Sequence, residues 1–302
     1  MDAKEDSTRV NYASNLAYIH GLETMVCMAT SGAMQIEGGN WQIFAAMLKS
    51  SSSITTHLNT PVSTISKQHD GTYHLSTNDT ISTFDEVILA TPLQFTNLTI
   101  SPAPKHTPDT IPYVDLHVTL FASPFQLSPS AFNLAAGENV PQYILTTLPP
   151  TEKPLDGHPG SPGFYSISMH TVAQNHLASP PRQEFIYKIF SHAPITPPFL
   201  SHILGHPVTD HEAEEGDVNG VVSWVHRKVW QSYPMEYPRV TFDEFVLDEG
   251  LWYTSCIESF VSTMETSALS GRNVARLVWD RWVGGKEHDE GGVAQAVFQN
   301  EL

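Results

Sequence analysis

Cysteine is scarce in this chain. Cys27 and Cys256 are the two among 302 residues, too few for a disulfide framework or a multi-cysteine zinc site. Basic residues are scarce as well. Fifteen Lys and Arg stand against thirty-two Asp and Glu, a formal net charge of −17. That excludes a nucleic-acid binder resting on a basic surface, because phosphate neutralisation supplies most of such affinity. No apolar run reaches the roughly eighteen residues of a membrane-spanning helix, so no transmembrane segment is expected. The opening residues, MDAKEDSTRV, are polar and hold no apolar stretch of the signal-peptide kind. Neither H-E-x-x-H nor G-x-S-x-G occurs, which argues against a zincin and against an α/β-hydrolase.

What remains is a folded composition. Apolar residues make up 40% and charged residues 16%, which argues against wholesale disorder and fits one large or two ordinary domains. Histidine is abundant, at fifteen residues. Protonating all of them would cancel nearly the whole negative charge, so the net charge depends strongly on acidity. Residence in an acidic compartment is one reading, and scattered surface histidines with no role is the other. His206 and the pair His211-Glu212 lie in a Pro/Gly/acid-rich stretch without metal-ligand spacing, and no metal site is expected.

The stretch from Asn40 to Pro92 is the most readable. Asn40 is a plausible N-cap for an apolar helix beginning at Trp41. Ile54 to Leu58 reads as a short strand and Val62 opens a second. Asp70-Gly71 signals a tight turn, and Thr72 to Thr77 returns as a third strand. Val87 to Ala90 is continuously apolar, which suits a strand buried on both faces of a parallel sheet. Prolines 102, 104, 108 and 112 then form a linker into separated β-rich runs: Val114 to Phe121, Tyr143 to Leu148, Phe164 to Met169 and Phe185 to Phe190. Their alternation reads as a second, antiparallel-sheet domain. Helices are expected over Pro197 to Leu204 and at the start of the chain. Leu251 to Cys256 reads as a strand entering a loop. Ser262-Thr263-Met264-Glu265 then fits a capping box, S-x-x-E. Positions 264, 268, 271, 275, 278 and 282 share one face of the helix it opens, and the residues after Trp282 read as a tail.

A strand, a short loop and a capped helix make an anion site, since helix N-termini expose free N–H groups. With the Ser262 and Glu265 side chains serving the cap, the backbone N–H groups of Thr263 and Met264 are left for a ligand. An ordinary capped helix is the alternative.

Short motifs along the chain resemble one family in collinear order. Thr254 to Ala275, TSCIESFVSTMETSALSGRNVA, is similar to the C-terminal flavin segment of the prenylcysteine oxidase (prenylcysteine lyase) family. Thr8 to Tyr12, TRVNY, resembles its start-of-region motif, Glu37 to Asn40 its EGGN, and Val87 to Leu93 its buried strand and loop. Tyr187 to Ser191 resembles its WKIFS, and Trp230 with Tyr233-Pro234 its W-x-x-Y-P. Asn97-Leu98-Thr99 sits where the family has a sequon, and Asn78-Asp79-Thr80 is a second N-glycosylation sequon.

The resemblance implies an α/β (α+β) flavoenzyme of the amine-oxidase-like group. In it a partial FAD-binding Rossmann-like domain (residues 34–100 and 245–283) is interleaved with an antiparallel-sheet substrate domain (residues 1–33 and 101–244), followed by a tail (284–302). It implies that FAD takes a hydride from farnesyl- or geranylgeranyl-cysteine, that water adds, and that cysteine and a prenyl aldehyde are released. Dioxygen then reoxidises the flavin to give hydrogen peroxide. The flavin carries the chemistry, so no catalytic side chain is implied. Cofactor contacts carry over to Gly38, Gly39, Val62, Ala90, Thr91, Pro92, Glu258, Thr263 and Met264, with a simple turn before a helix the alternative for Gly38 and Gly39 and a loop cap the alternative for Glu258. Trp230, Tyr233 and Tyr237 line a prenyl tunnel or are ordinary core aromatics. Glycosylation is implied at Asn78 and Asn97, and a lysosomal, vacuolar or secreted location. The sequence departs from the family in one respect. It has no G-x-G-x-x-G, so the resemblance begins partway through the family's length. The expectation is therefore an incomplete FAD domain. A non-catalytic remnant and an amine-oxidase-like enzyme with another substrate are the alternatives.

Overall fold

The computed structural model describes residues 3–29, 34–148, 151–153 and 158–287. In chain order, helices α1 (Ala3–Tyr12), α2 (Gly21–Ala29) and α3 (Trp41–Lys49) are followed by strands β1 (Thr64–Lys67), β2 (Tyr73–Ser76), β3 (Ile81–Phe84), β4 (Val87–Leu89) and β5 (Thr99–Ser101). Next come β6 (Tyr113–Ser123), β7 (Tyr143–Leu145), β8 (Phe164–Asn175), β9 (Arg182–Ser191), α4 (Pro197–Leu204) and α5 (Asp210–Glu214). The order closes with β10 (Trp224–Pro234), β11 (Val246–Asp248), β12 (Leu251–Tyr253) and α6 (Met264–Glu287). The chain divides into two units. One comprises Met1–Ala29 and Pro112–Arg239, the other Thr30–Ile111 and Val240–Leu302.

The first unit is built on a five-stranded antiparallel sheet in the order β10-β6-β9-β8-β7. Strand alternation decides its faces. Phe121, Ile167, Tyr187 and Ile189 point to one face and bury against Leu200, Ile203 and Leu204 of α4. α4 starts and stops where its sequence dictates. The Thr196 side chain accepts from the Phe199 N–H, two prolines occupy the first turn, and Gly205 takes φ +70° at the C-terminal end. At one end of the other face, Val10 of α1 and Ala13 just after it pack on Leu116 and Tyr165. Arg9 explains part of the TRVNY motif. It is buried, and its guanidinium donates to Asn15 Oδ1 (2.9 Å), the Thr146 carbonyl (2.5 Å) and the Pro159 carbonyl (2.8 Å).

The second unit holds two smaller sheets. β1, β2 and β3 form an antiparallel meander, with β5 added parallel to β1. Gly71, at φ +87°, makes the tight turn between β1 and β2. In the other sheet β12 lies between β11 and β4, antiparallel to the first and parallel to the second. Ile65, Tyr73, Leu89, Leu247 and Tyr253 form the core under both sheets. The mixed α/β class read from the sequence is the observed one. β12 of the parallel β4–β12 pair leads through a short loop into α6.

Five local expectations are corrected. Ile54 to Leu58 is coil and turn, with Ile54 and Leu58 exposed, because no strand pairs with that segment. Val62 precedes β1 instead of opening it. β4 is buried on one face only, since Ile88 is 47% exposed. The predicted face of α6 is turned outward: Met264 and Trp282 are exposed, whereas Ser270 and Val274 are buried. The rotation is set by the Ser270 hydroxyl, which donates to the Thr254 carbonyl at 2.6 Å. The helix also continues through residues 284–287 of the expected tail, and residues 288–302 lie outside those described. One long strand, β10, has no counterpart in the sequence reading.

Candidate functional site

The parallel pair sets the site. Leu89 of β4 stands abreast of Tyr253 of β12, and the Thr254 N–H donates to the Leu89 carbonyl at 3.0 Å. Beyond that rung both chains turn away at the carboxyl edge, where open α/β sheets bind ligands. Ala90 and Thr91 are exposed there, and Pro92 is half-buried. On the β12 side a single 3₁₀ turn (Ser255–Ile257) is closed by the Glu258 N–H donating to the Ser255 carbonyl at 3.1 Å. The Ser270–Thr254 bond ties α6 to the same edge. The helix starts six residues earlier, about 9 Å along its axis.

The start of α6 corrects the predicted cap. Thr263 Oγ1 accepts from the Thr266 N–H at 3.0 Å, and Thr266 Oγ1 accepts from the Thr263 N–H at 2.9 Å. This reciprocal pair lies one residue beyond Ser262 and Glu265. It commits the Thr263 N–H to the protein. Among the described residues the first-turn amides of Met264 and Glu265 have no acceptor. With the positive end of a 24-residue helix behind them, they suit an anionic or carbonyl-bearing ring edge. Cys256 has the opposite of a reactive thiol's surroundings. Burial, with the Asp243 carboxylate adding to it, pushes the thiol up to about 12. Burial likewise raises the Tyr253 hydroxyl to about 12, reinforced by the carboxylates of Glu258 and Asp243.

The remaining candidates are placed elsewhere. Gly38 and Gly39 take φ +82° and +115° in the turn before α3. A Cβ on Gly38 would lie 2.9 Å from Gln42 Nε2, and one on Gly39 2.8 Å from Trp41 Cδ1. The turn itself thus requires both glycines. Asn40 does not cap α3. Its Oδ1 accepts from the Ile36 N–H at 3.0 Å and closes that turn instead. Val62 is half-buried against the core that holds Leu89 and Tyr253. In the first unit, Tyr233 packs against Tyr12 at 6.0 Å between ring centroids, and burial raises its hydroxyl pKa. Trp230 is 49% exposed on β10, with the Lys228 ammonium 5.0 Å from its ring centroid. The Tyr237 hydroxyl donates to Met235 Sδ at 3.2 Å. Tyr233 is therefore a core aromatic, while Trp230 faces outward. Asn78 and Asn97 are both exposed, outside helices and strands. A cavity of about 300 Å³ beside Gln126, Gln142 and Tyr187, and another of about 500 Å³ beside Asp70, Asp85 and Arg281, contain none of these residues.

Lys188 stands on β9 between the buried Tyr187 and Ile189 but points to the opposite face, a lone cation within the mostly apolar run Phe185 to Phe190.

These motifs and this geometry meet in the family comparison. Residues 5–290 match the family model described as prenylcysteine lyase. The chain belongs to the prenylcysteine lyase family. A farnesylcysteine lyase of Arabidopsis thaliana is 29% identical over 282 residues, covering 91% of this chain and 48% of the relative. Prenylcysteine oxidase 1 of Pongo abelii is 24% identical over 298 residues, covering 91% and 52%. Prenylcysteine oxidase 1 of Rattus norvegicus is 39% identical over a shorter stretch of 61 residues, 20% of this chain and 12% of the relative. The chain spans about half the length of the first two relatives. Among the described residues no helix is long and apolar enough to cross a membrane.

Proposed function

We propose that this chain belongs to an FAD-dependent thioether oxidase that converts prenylcysteine, water and dioxygen to cysteine, a prenyl aldehyde and hydrogen peroxide during breakdown of prenylated proteins. The observation that carries this reading is the carboxyl edge of the β4–β12 pair with the open first-turn amides of α6. The donor set there fits the pyrimidine edge of a flavin, which becomes anionic on reduction. The Met264 and Glu265 amides would hold that edge, and Ala90, Thr91 and Pro92 would border the ring. Glu258, on the loop after β12, and Gly38, Gly39 and Val62 would complete the cofactor side of the reading. Bound there, FAD would supply the hydride acceptor that dioxygen regenerates. The chain's own contribution is orientation, exclusion of water and charge placement. Exposed sequons at Asn78 and Asn97 support a glycosylated protein of the lysosome, vacuole or secretory route.

The test is direct. The chain is incubated with FAD, desalted, and given S-farnesyl-L-cysteine in air. Retained flavin absorbance with peroxide release on farnesylcysteine, and none on simple amines, supports the reading. Peroxide on amines alone would assign another amine-oxidase-like substrate. Farnesylcysteine binding with no flavin retained would make the chain a non-catalytic binding module.

A further inference from the structure

The strand registers of the first unit lay out its second sheet face in rows. His226, Leu120, Lys188, Ser168 and Tyr143 stand abreast across the five strands. The next row holds Lys228, Val118, Phe190, Ser166 and Leu145. Trp224 with Ala122 and Ile186 flanks them on one side, and Trp230 with Leu116 on the other. α1 covers the Leu116 end, while Tyr143, Leu145, Trp224 and Trp230 remain exposed. No Asp or Glu stands in these rows, although the chain has thirty-two.

Lys188 is the singular member. It sits on a central strand, half-buried, flanked by Leu120, with its ammonium 4.5 Å from the Phe190 ring centroid. Burial lowers its pKa, and it makes no ion pair or hydrogen bond to any described residue. His170 adds no second charge beside it readily, because burial and the Lys188 charge both disfavour protonation of that ring. A half-desolvated cation without a counter-ion is costly, and the cost falls when an anion arrives. Lys228 differs in standing on the exposed edge strand. A half-buried cation flanked by Val118, Leu120 and Phe190 is complementary to an amphiphile with a greasy tail and a carboxylate head.

We propose that Lys188 receives the α-carboxylate of the cysteine half of the substrate, with the prenyl chain lying along Val118, Leu120 and Phe190. The proposal rests on the prenylcysteine reading above. Lys188 is a positioning and specificity residue: it recognises free prenylcysteine, the product of complete proteolysis, over forms whose carboxyl is esterified or still in a peptide bond.

The test is calorimetric titration of the 302-residue chain with S-farnesyl-L-cysteine and with its methyl ester, both below their aggregation thresholds. The free acid is expected to bind about tenfold more tightly, the usual scale for one charge-assisted hydrogen bond at a partly exposed site. Lys188→Met should abolish that preference by weakening the acid alone, and Lys188→Arg should keep it. Equal binding of acid and ester to the unaltered chain, or equal weakening of both by Lys188→Met, overturns the carboxylate role while leaving prenylcysteine binding intact. Binding of neither ligand overturns the prenylcysteine reading and this inference with it.

Discussion

Helices α4 and α3 are nearly the same length, eight and nine residues, and both carry an apolar face. α4, in the first unit, buries Leu200, Ile203 and Leu204 against the five-stranded sheet. α3, in the second, has no buried residue, and Trp41, Phe44 and Met47 are 66%, 54% and 61% exposed. Amphipathic spacing therefore told where helices form in both units, and told nothing about what covers them. The second unit compensates with polar fastening. Glu86 accepts from the indole N–H groups of Trp252 (2.7 Å) and Trp282 (2.8 Å) and from Arg281. Asp248 pairs with Lys67 at 3.1 Å and with Lys105 at 3.4 Å.

That contrast is open to attack by substitution. Leu200→Ala, at a fully buried position of α4, should cost about 3 kcal/mol of unfolding free energy in urea, by lost burial and a residual cavity. Glu86→Ala should cost about 2 kcal/mol, because it leaves the buried Trp252 indole N–H without its acceptor. Phe44→Ala in α3 should stay within about 0.5 kcal/mol. A loss from Phe44→Ala equal to that from Leu200→Ala would end the comparison.

Acidification should find the second unit's fastening. Burial raises the Asp248 carboxyl, but the Glu249 amide and the Lys67 ammonium outweigh it and hold the group below its ordinary value of 3.8. A depressed folded pKa contributes stability above the unfolded value, and that stability is lost as pH falls through the folded one. Asp248→Asn should therefore lower the melting temperature at pH 7 and make progressively less difference below about pH 4. A constant difference across that range would remove the carboxylate from the account.

The legible parts of the molecule are those where local chemistry leaves one choice. β6 was read over Val114 to Phe121 from the apolar/polar alternation of its first residues, and α4 is bracketed by Thr196, two prolines and Gly205. The loop Ala90 to Pro92 was readable as a strand's carboxyl end because a proline follows an apolar run. β10 was not readable, since Trp224, His226, Arg227 and Lys228 mix charge with aromatics and only pairing with β6 makes them a strand. At the head of α6 two caps overlap in the sequence. Ser262 with Glu265 and Thr263 with Thr266 both satisfy the spacing rule, and the fold uses the second. That one-residue difference moves the open amides from Thr263 and Met264 to Met264 and Glu265, which no propensity argument distinguishes.

The central claim is that this chain acts in prenylcysteine oxidation, and peroxide release tests it most directly. With FAD supplied and S-farnesyl-L-cysteine added in air, the account predicts hydrogen peroxide and farnesal in equal amounts, with no peroxide from simple amines. Flavin retained by the chain with no peroxide from any prenylcysteine would contradict it.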